Sequence, residues 1–351
     1  MKKKFLIAVL ILFIMTLGAS TWLYVDITAY AERSGGGDPI KKAVLINRGD
    51  GFRKITHYLK QAGIITHPFK FRLYARLKKY DHRIKAGEYI LSSEMSPDKI
   101  LATLISGKVR LYRLTVPEGL TLRQIASLIA DAGLGHAAEF LKLANDAAFA
   151  EKHDIPAAGL EGYLFPDTYF FPRGVTARKI ITTMLDRFQS VFTPQWKLRA
   201  KKMGLSVHQT VTLASIIEKE TGAAFERPLI SSVFHNRLKK RMRLESDPTV
   251  IYGIENFDGN ITRKHLAAQT PYNTYQIKGL PPGPIAGPGA EALKSALFPA
   301  DTKFLFFVAK KDHTHQFSTN LKDHTKISIE TMNECGRRRS EGRGRRLESE
   351  R

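Results

Sequence analysis

The longest apolar run in the chain lies near its start. Phe5–Val25 continues for 21 residues without a charge, behind the basic stub of residues 1–4. About 20 apolar residues span a bilayer as a helix. The three lysines of the stub favour a cytoplasmic N-terminus, and Trp22 and Tyr24 suit the far interface. A cleaved signal peptide ending at the small residues LGAS is the alternative; the run continues past that site, which favours an uncleaved single-pass anchor over 5–25. Residues 26–42, which include AERSGGGDP at Ala31–Pro39, predict a flexible linker.

Beyond it the pattern repeats. When VLINRGDGFRKITHYLKQAGII is set over LTVPEGLTLRQIASLIADAGLG, Gly49 falls on Gly119, Arg53 on Arg123, Ile55 on Ile125, Ala62 on Ala132 and Gly63 on Gly133. Each copy predicts a short apolar strand, a Gly turn, and an amphipathic helix closed by Gly. Phe52, Ile55, Tyr58, Leu59 and Ala62 line one helix face; Leu122, Ile125, Leu128, Ile129 and Ala132 line the other. Between the copies the pattern predicts a basic helix, a strand, and a helix capped by Ser96. Leu160–Gly174, rich in aromatics and broken by two prolines, predicts an irregular loop. Its rings Tyr163, Phe165, Tyr169 and Phe170 would either stack on sugars or pack two domains together.

Ser206–Thr221 predicts one helix, with Ser206 as N-cap, Gln209 completing a capping box and Gly222 at its end. At about 100° per residue, Val207, Val211, Ala214 and Glu218 share a stripe, while His208, Thr212, Ser215 and Lys219 form a polar side. Glu220 lies about 160° from Glu218, so these two carboxylates cannot form a nucleophile–acid pair in one cleft. Glu218, in an apolar stripe, is expected to be partly desolvated and to hold a proton near neutral pH. That state suits a general acid. The alternative is a helix-edge glutamate paired with Arg227 or Arg237. Farther on, FLFFVAKKDHTHQFSTNLKDH predicts a strand, a turn and a second strand ending at Asn320 and His324.

Composition changes this picture in few places. Lys and Arg number 55 against 33 Asp and Glu, a net charge of +22 that suits nucleic acid, anionic lipid or an acidic polymer. No zinc-ligand cluster, RNP-like motif or helix-turn-helix supports nucleic acid. Seven Arg and three Glu of that total sit in the tail GRRRSEGRGRRLESER, which reads as disordered. The single cysteine, Cys335, excludes an intramolecular disulfide. His313 and His315 alternate on one strand edge but have no carboxylates with them, so no metal site and no cofactor is read.

The motifs LEGYLFPDTY, ASIIEKET, SVFHNRL, SDPTVIYG, YNTY, GLPPGPIAGPG and FSTNLKDH follow one another in this order. In them the chain closely resembles the endolytic murein transglycosylases, the YceG-like family, over nearly its whole length to about Asn333. The resemblance implies an α+β chain with a transmembrane anchor at 5–25, a LysM-like glycan-binding region at 43–155 and a catalytic domain at 156–333. The tail at 334–351 lies outside it. It also implies non-hydrolytic cleavage of the MurNAc–GlcNAc bond within nascent peptidoglycan strands, giving 1,6-anhydro ends and terminating strand elongation. Glu218 would be the catalytic acid, and Tyr252, Asn273, Tyr275 and Asn320 substrate contacts. Glu220 would support the acid or only the fold. Peptidoglycan synthases, penicillin-binding proteins among them, are implied as partners, with the catalytic domain on the periplasmic side of the bacterial inner membrane. Two other readings stay open: a muramidase that uses water, helped by Glu245 or Asp247, and a non-catalytic wall-binding scaffold.

Overall fold

The computed structural model describes residues 2–34, 41–255, 257–310, 312 and 314–330. His313, Cys335 and the basic tail lie outside the described residues. The fold is mixed α+β behind an N-terminal apolar helix, and the chain divides into two compact units. The first holds residues 1–113 and 170–175, and the second holds 114–169 and 176–351. This division falls inside the 43–155 segment, so each copy of the repeat belongs to a different unit.

In the first unit, α1 (Lys2–Glu32) is followed by β1 (Lys41–Ile46), α2 (Phe52–Gln61), α3 (Pro68–Leu77), β2 (Gly87–Ser92) and α4 (Pro97–Ser106). β1 and β2 pair antiparallel, with Val44 opposite Tyr89 and Ile46 opposite Gly87. Val44, Ile46, Tyr89 and Leu91 face the helices and join Ile55, Leu59, Phe71, Ile100 and Leu104 in the core. The Tyr89 hydroxyl, carried into that core, donates to the carbonyls of Lys85 and Leu104, as a buried phenol must. Residues 26–32 are not linker. They continue α1, and Ile27 and Ala31 are buried in the same core. Asp26 pairs with Lys70 at 2.7 Å, and the Tyr30 ring meets His67 edge-on. An apolar stripe that leaves the run at Val25 and re-forms against α3 explains the unbroken helix better than the Gly-rich segment behind it.

The second unit continues with β3 (Leu111–Thr115), whose first residues belong to the first unit, then α5 (Leu122–Asp131), α6 (Ala137–Ala144) and α7 (Ala147–Glu151). β4 (Thr168–Pro172) pairs with β3. After it come α8 (Ala177–Val191), α9 (Pro194–Lys202), α10 (Val207–Glu220), α11 (Arg227–Lys239), α12 (Asp247–Tyr252), α13 (Arg263–Ala267) and α14 (Ala290–Leu297). The antiparallel pair β5 (Phe306–Ala309) and β6 (His315–Ser318) follows. The two repeat copies share their geometry. Gly49 and Gly119 take φ of 86° and 76° before the helix, and Gly63 and Gly133 take 72° and 64° after it. These are left-handed values that favour glycine.

Three expectations are corrected here. The Leu160–Gly174 stretch is not an exposed aromatic loop: Tyr163, Phe165, Tyr169 and Phe171 are buried, and Phe170 alone of its rings is exposed. Part of it is strand β4. The chain after β6 turns helical over residues 321–330. Asn320 caps that helix, its Oδ1 accepting from the Asp323 N–H, so no strand ends at His324. Finally, α10 has no polar side between Thr210 and Ile217, where every residue is buried. Thr210, Thr212 and Ser215 donate their hydroxyls to the carbonyls of Ser206, His208 and Thr212. A short hydroxyl satisfied by its own helix can enter a core.

Gly162 sets how the LEGYLF turn passes α10. Its φ is 82°, and a Cβ there would overlap the Pro284 ring and stand 3.1 Å from Val211 Cγ1. Neither neighbour can swing away. Gly162→Ala is expected to lower the unfolding free energy by about 2–4 kcal/mol from backbone strain and overpacking together. Urea titration of the variant checks this; a change under about 0.5 kcal/mol, the scatter of ordinary surface substitutions, would refute it.

Candidate active site

The site is built at the C-terminal end of α10. Ser206 and Gln209 form the reciprocal capping box that starts this helix, and it packs against α9, α11, α12 and α14. Burial on all sides fixes the helix, so its last turn delivers Glu218 to one place. The Glu218 side chain is only 6% exposed. One of its oxygens, Oε1, accepts from Arg227 Nη2 at 2.9 Å, and the other, Oε2, accepts from the Gly289 N–H at 2.9 Å. Arg227 opens α11, and Gly289 precedes the first residue of α14. Helix-edge pairing with Arg227 and an inward-facing Glu218 are thus one arrangement, not alternatives.

A second carboxylate reaches the same guanidinium. Glu118 Oε2 lies 3.6 Å from Arg227 Nη2, and its side chain is 48% exposed. Burial raises the pKa of Glu118, and the charge of Glu218 raises it further. Gly289 makes room for it: a Cβ at that position would overlap the Glu118 carboxyl. Gly119, next in the chain, hydrogen-bonds by its own N–H to the Gly287 carbonyl, which ties the repeat's turn to the GPG segment. Two carboxylates, one largely buried and one open to solvent, therefore share one arginine whose buried Nε has no hydrogen-bond partner among the described residues.

Glu220, on the other side of α10, accepts from the Ser246 hydroxyl. Burial pushes its carboxyl up to about 7. Glu220 makes no hydrogen bond or ion pair to Arg227 among the described residues, in keeping with the angular argument from the sequence. Neither carboxylate weighed as a helper for water sits with Glu218 in the bonding pattern. Glu245 pairs with Arg237 at 3.0 Å, and Asp247 accepts from the Tyr275 hydroxyl at 2.7 Å. Arg237 itself is held by the carbonyls of Leu305, Arg243 and Leu244.

Of the residues expected at the substrate, Asn273 is 0% exposed, and its amide nitrogen reaches the carbonyls of His265, Leu266 and Ala268. It braces the YNTY loop. Asn320 caps a helix, as described above. Tyr252 faces a cleft, where its hydroxyl donates to Glu161 Oε2 at 3.2 Å. His315, which alternates with His313 in the sequence, has Nδ1 2.7 Å from the buried Glu226, which also takes the His315 N–H.

Residues 44–329 match the YceG-like family. The chain belongs to that family. An endolytic murein transglycosylase of Bacillus subtilis is 35% identical over 303 residues, covering 82% of this chain and 84% of the relative. Another, from Streptococcus pneumoniae, is 31% identical over 320 residues; the chain spans 58% of that longer protein. The crystal structure of a YceG-like protein from Listeria monocytogenes, 35% identical, superposes with a TM-score of 0.57 over 83% of this chain and all of that one. The YceG-like match takes in the elements that supply Glu118, Glu218, Arg227 and Gly289.

Sequence reading missed Glu118, Gly289 and Glu161. One signal pointed to the first: in the aligned repeat Glu118 falls on Arg48, a reversal of charge beside an otherwise matched glycine.

Proposed function

We propose that the chain is an endolytic lytic transglycosylase of peptidoglycan. In this reading it cleaves the β-1,4 bond between MurNAc and GlcNAc inside nascent strands, leaving 1,6-anhydro-MurNAc ends and limiting strand growth. The names of the relatives support the activity. The observation that carries the mechanism is the nearly buried Glu218 carboxylate, held by Gly289 and by an arginine it shares with Glu118. Protonated Glu218 gives its proton to the glycosidic oxygen as the C1–O bond breaks and the GlcNAc 4-hydroxyl leaves. The C6 hydroxyl of the same MurNAc then bonds to C1, and its proton passes to Glu218, which ends as it began. No water enters, because an intramolecular hydroxyl supplies the nucleophile at high effective concentration. Arg227 stands beside both carboxyl groups, its Nη2 at 2.9 Å from Glu218 and 3.6 Å from Glu118.

The same reading takes α1 as an uncleaved anchor with the rest of the chain outside the cytoplasmic membrane, and the strand–helix repeat as LysM-like glycan-binding elements. It sets the enzyme beside the synthases that extend the strand.

A water-using muramidase is the second reading, favoured by the solvent-facing Glu118 next to Glu218, a pairing of the kind that activates water. Mass spectrometry of products from purified glycan strands separates the two. Anhydro ends are expected; reducing ends, heavier by one water, would transfer the enzyme to the muramidases.

A further inference from the structure

Glu161 is a second acid that the mechanism above does not use. It lies in the second unit, in a cleft of about 430 Å³ lined also by His208, Tyr252, Tyr272, Pro282 and Pro284. Its carboxyl is fixed from two sides. The Leu122 N–H at the start of α5 lies 3.1 and 3.3 Å from its two oxygens, and the Tyr252 hydroxyl lies 3.2 Å from Oε2. The walls are equally fixed. His208 Nε2 donates to the Pro282 carbonyl at 2.8 Å, which leaves Nδ1 to accept from the Tyr163 hydroxyl at 2.9 Å. The rings of Tyr252 and Tyr272 pack with centroids 4.8 Å apart. Among the described residues the Tyr272 hydroxyl has no hydrogen-bond partner. Gly283 keeps it clear, since a Cβ there would stand 3.4 Å from that oxygen.

Rigid tyrosine faces, an open phenol and a held carboxyl are the equipment of a carbohydrate site. The lining includes no Lys or Arg, and Arg123, whose charge reaches Glu161, lies outside it, so a carboxylate-bearing ligand would find no basic side chain in the cleft wall. An uncharged sugar meets none of that cost. Burial pushes Glu161 up to about 7, which gives the carboxyl a proton to donate in the neutral range. His208 belongs to the first turn of α10 and Glu218 to its last. At a rise of about 1.5 Å per residue the two stand about 15 Å apart along the helix, the length of a short oligosaccharide.

We propose that the Glu161–Tyr252–Tyr272 cleft is a remote subsite for an uncharged acetamido sugar, a GlcNAc ring of the same strand several sugars from the bond cut at Glu218. The subsite would make the enzyme favour long strands, since short fragments cannot fill both places. This inference rests on the glycan reading of the function.

The test uses the full chain in detergent, carrying Glu218→Gln to block turnover. It is titrated calorimetrically with peptide-free GlcNAc–MurNAc oligosaccharides, a tetrasaccharide and an octasaccharide. The octasaccharide is expected to bind about tenfold more tightly, the gain of one stacked and hydrogen-bonded ring. Tyr272→Ala should remove that gain and leave the tetrasaccharide unchanged. Tyr272→Phe, which keeps the ring and removes only the free hydroxyl, should remove about half of the gain in free energy, and it decides the matter if the alanine variant does not fold. Equal affinity for the two lengths, or an unchanged gain in the phenylalanine variant, overturns the subsite while cleavage by the wild-type chain still stands. A wild-type chain that neither cleaves strands nor binds either oligosaccharide overturns the function and the subsite together.

Discussion

Glu218→Gln is expected to lower the rate of strand cleavage by roughly 10³-fold or more, because in the proposed mechanism one group supplies both the proton and its removal. Glutamine keeps the shape and can still accept from the Gly289 N–H, so the loss should be in turnover, with substrate affinity little changed. The fold should survive. Arg227 retains Glu118 as a partner 3.6 Å away, and the stability cost should stay near about 1–2 kcal/mol, below the usual cost of breaking a buried pair. Single-turnover release of fragments from purified strands, set beside a circular dichroism melt, reads both quantities. A variant that released fragments within about tenfold of the wild-type rate would place the acid elsewhere.

Arg227→Met should have the largest effect on stability. The side chain is 10% exposed and stands between two carboxylates, one of them 6% exposed. Without the guanidinium, Glu218 is left charged with only the Gly289 N–H, and Glu118 faces it with like charge. Leaving such a charge unpaired costs about 3–5 kcal/mol, which urea titration would detect directly. A second substitution makes the argument specific. Glu118→Gln in the Arg227→Met background should recover about 1 kcal/mol, the repulsion between the two carboxylates, whereas in the wild-type background it should not stabilise. If Arg227→Met lost less than about 1 kcal/mol, the shared-arginine description would be wrong.

How much of this was written in the sequence depends on the distance over which each feature is encoded. The helix of the apolar run, the helix of the ASIIEKET motif with its capping box, and the matching glycines of the repeat are local patterns, and the structure has each of them. The opposite directions of Glu218 and Glu220 follow from helical geometry alone, and their separate partners, Arg227 and Ser246, agree with it. What stayed hidden is non-local. Gly289 donates to Glu218 from 71 residues away, and no periodicity connects them. Polar residues misled in a different way. Thr212 and Ser215 count as polar on a helical wheel, yet their hydroxyls bond within the helix and let it be buried all round. The aromatic run at Leu160–Gly174 misled for a related reason, since prolines suggested a loop where most of the rings are core. Asn273 carries the same lesson at the site, where a polar side chain in a family motif braces its own loop.

The unbroken exit of α1 has a consequence for how far the first unit could move. Val25 and the buried Ile27 belong to one helix, so no swivel separates the apolar run from the first unit. With that run in a bilayer, the first unit cannot sweep the volume a flexible leash would allow. Its motion reduces to lateral diffusion and rotation about the membrane normal. The first unit would then keep a constant height above the membrane. Lengthening the helix by whole turns, about 5.4 Å each, would raise that unit in discrete steps, as a ruler would.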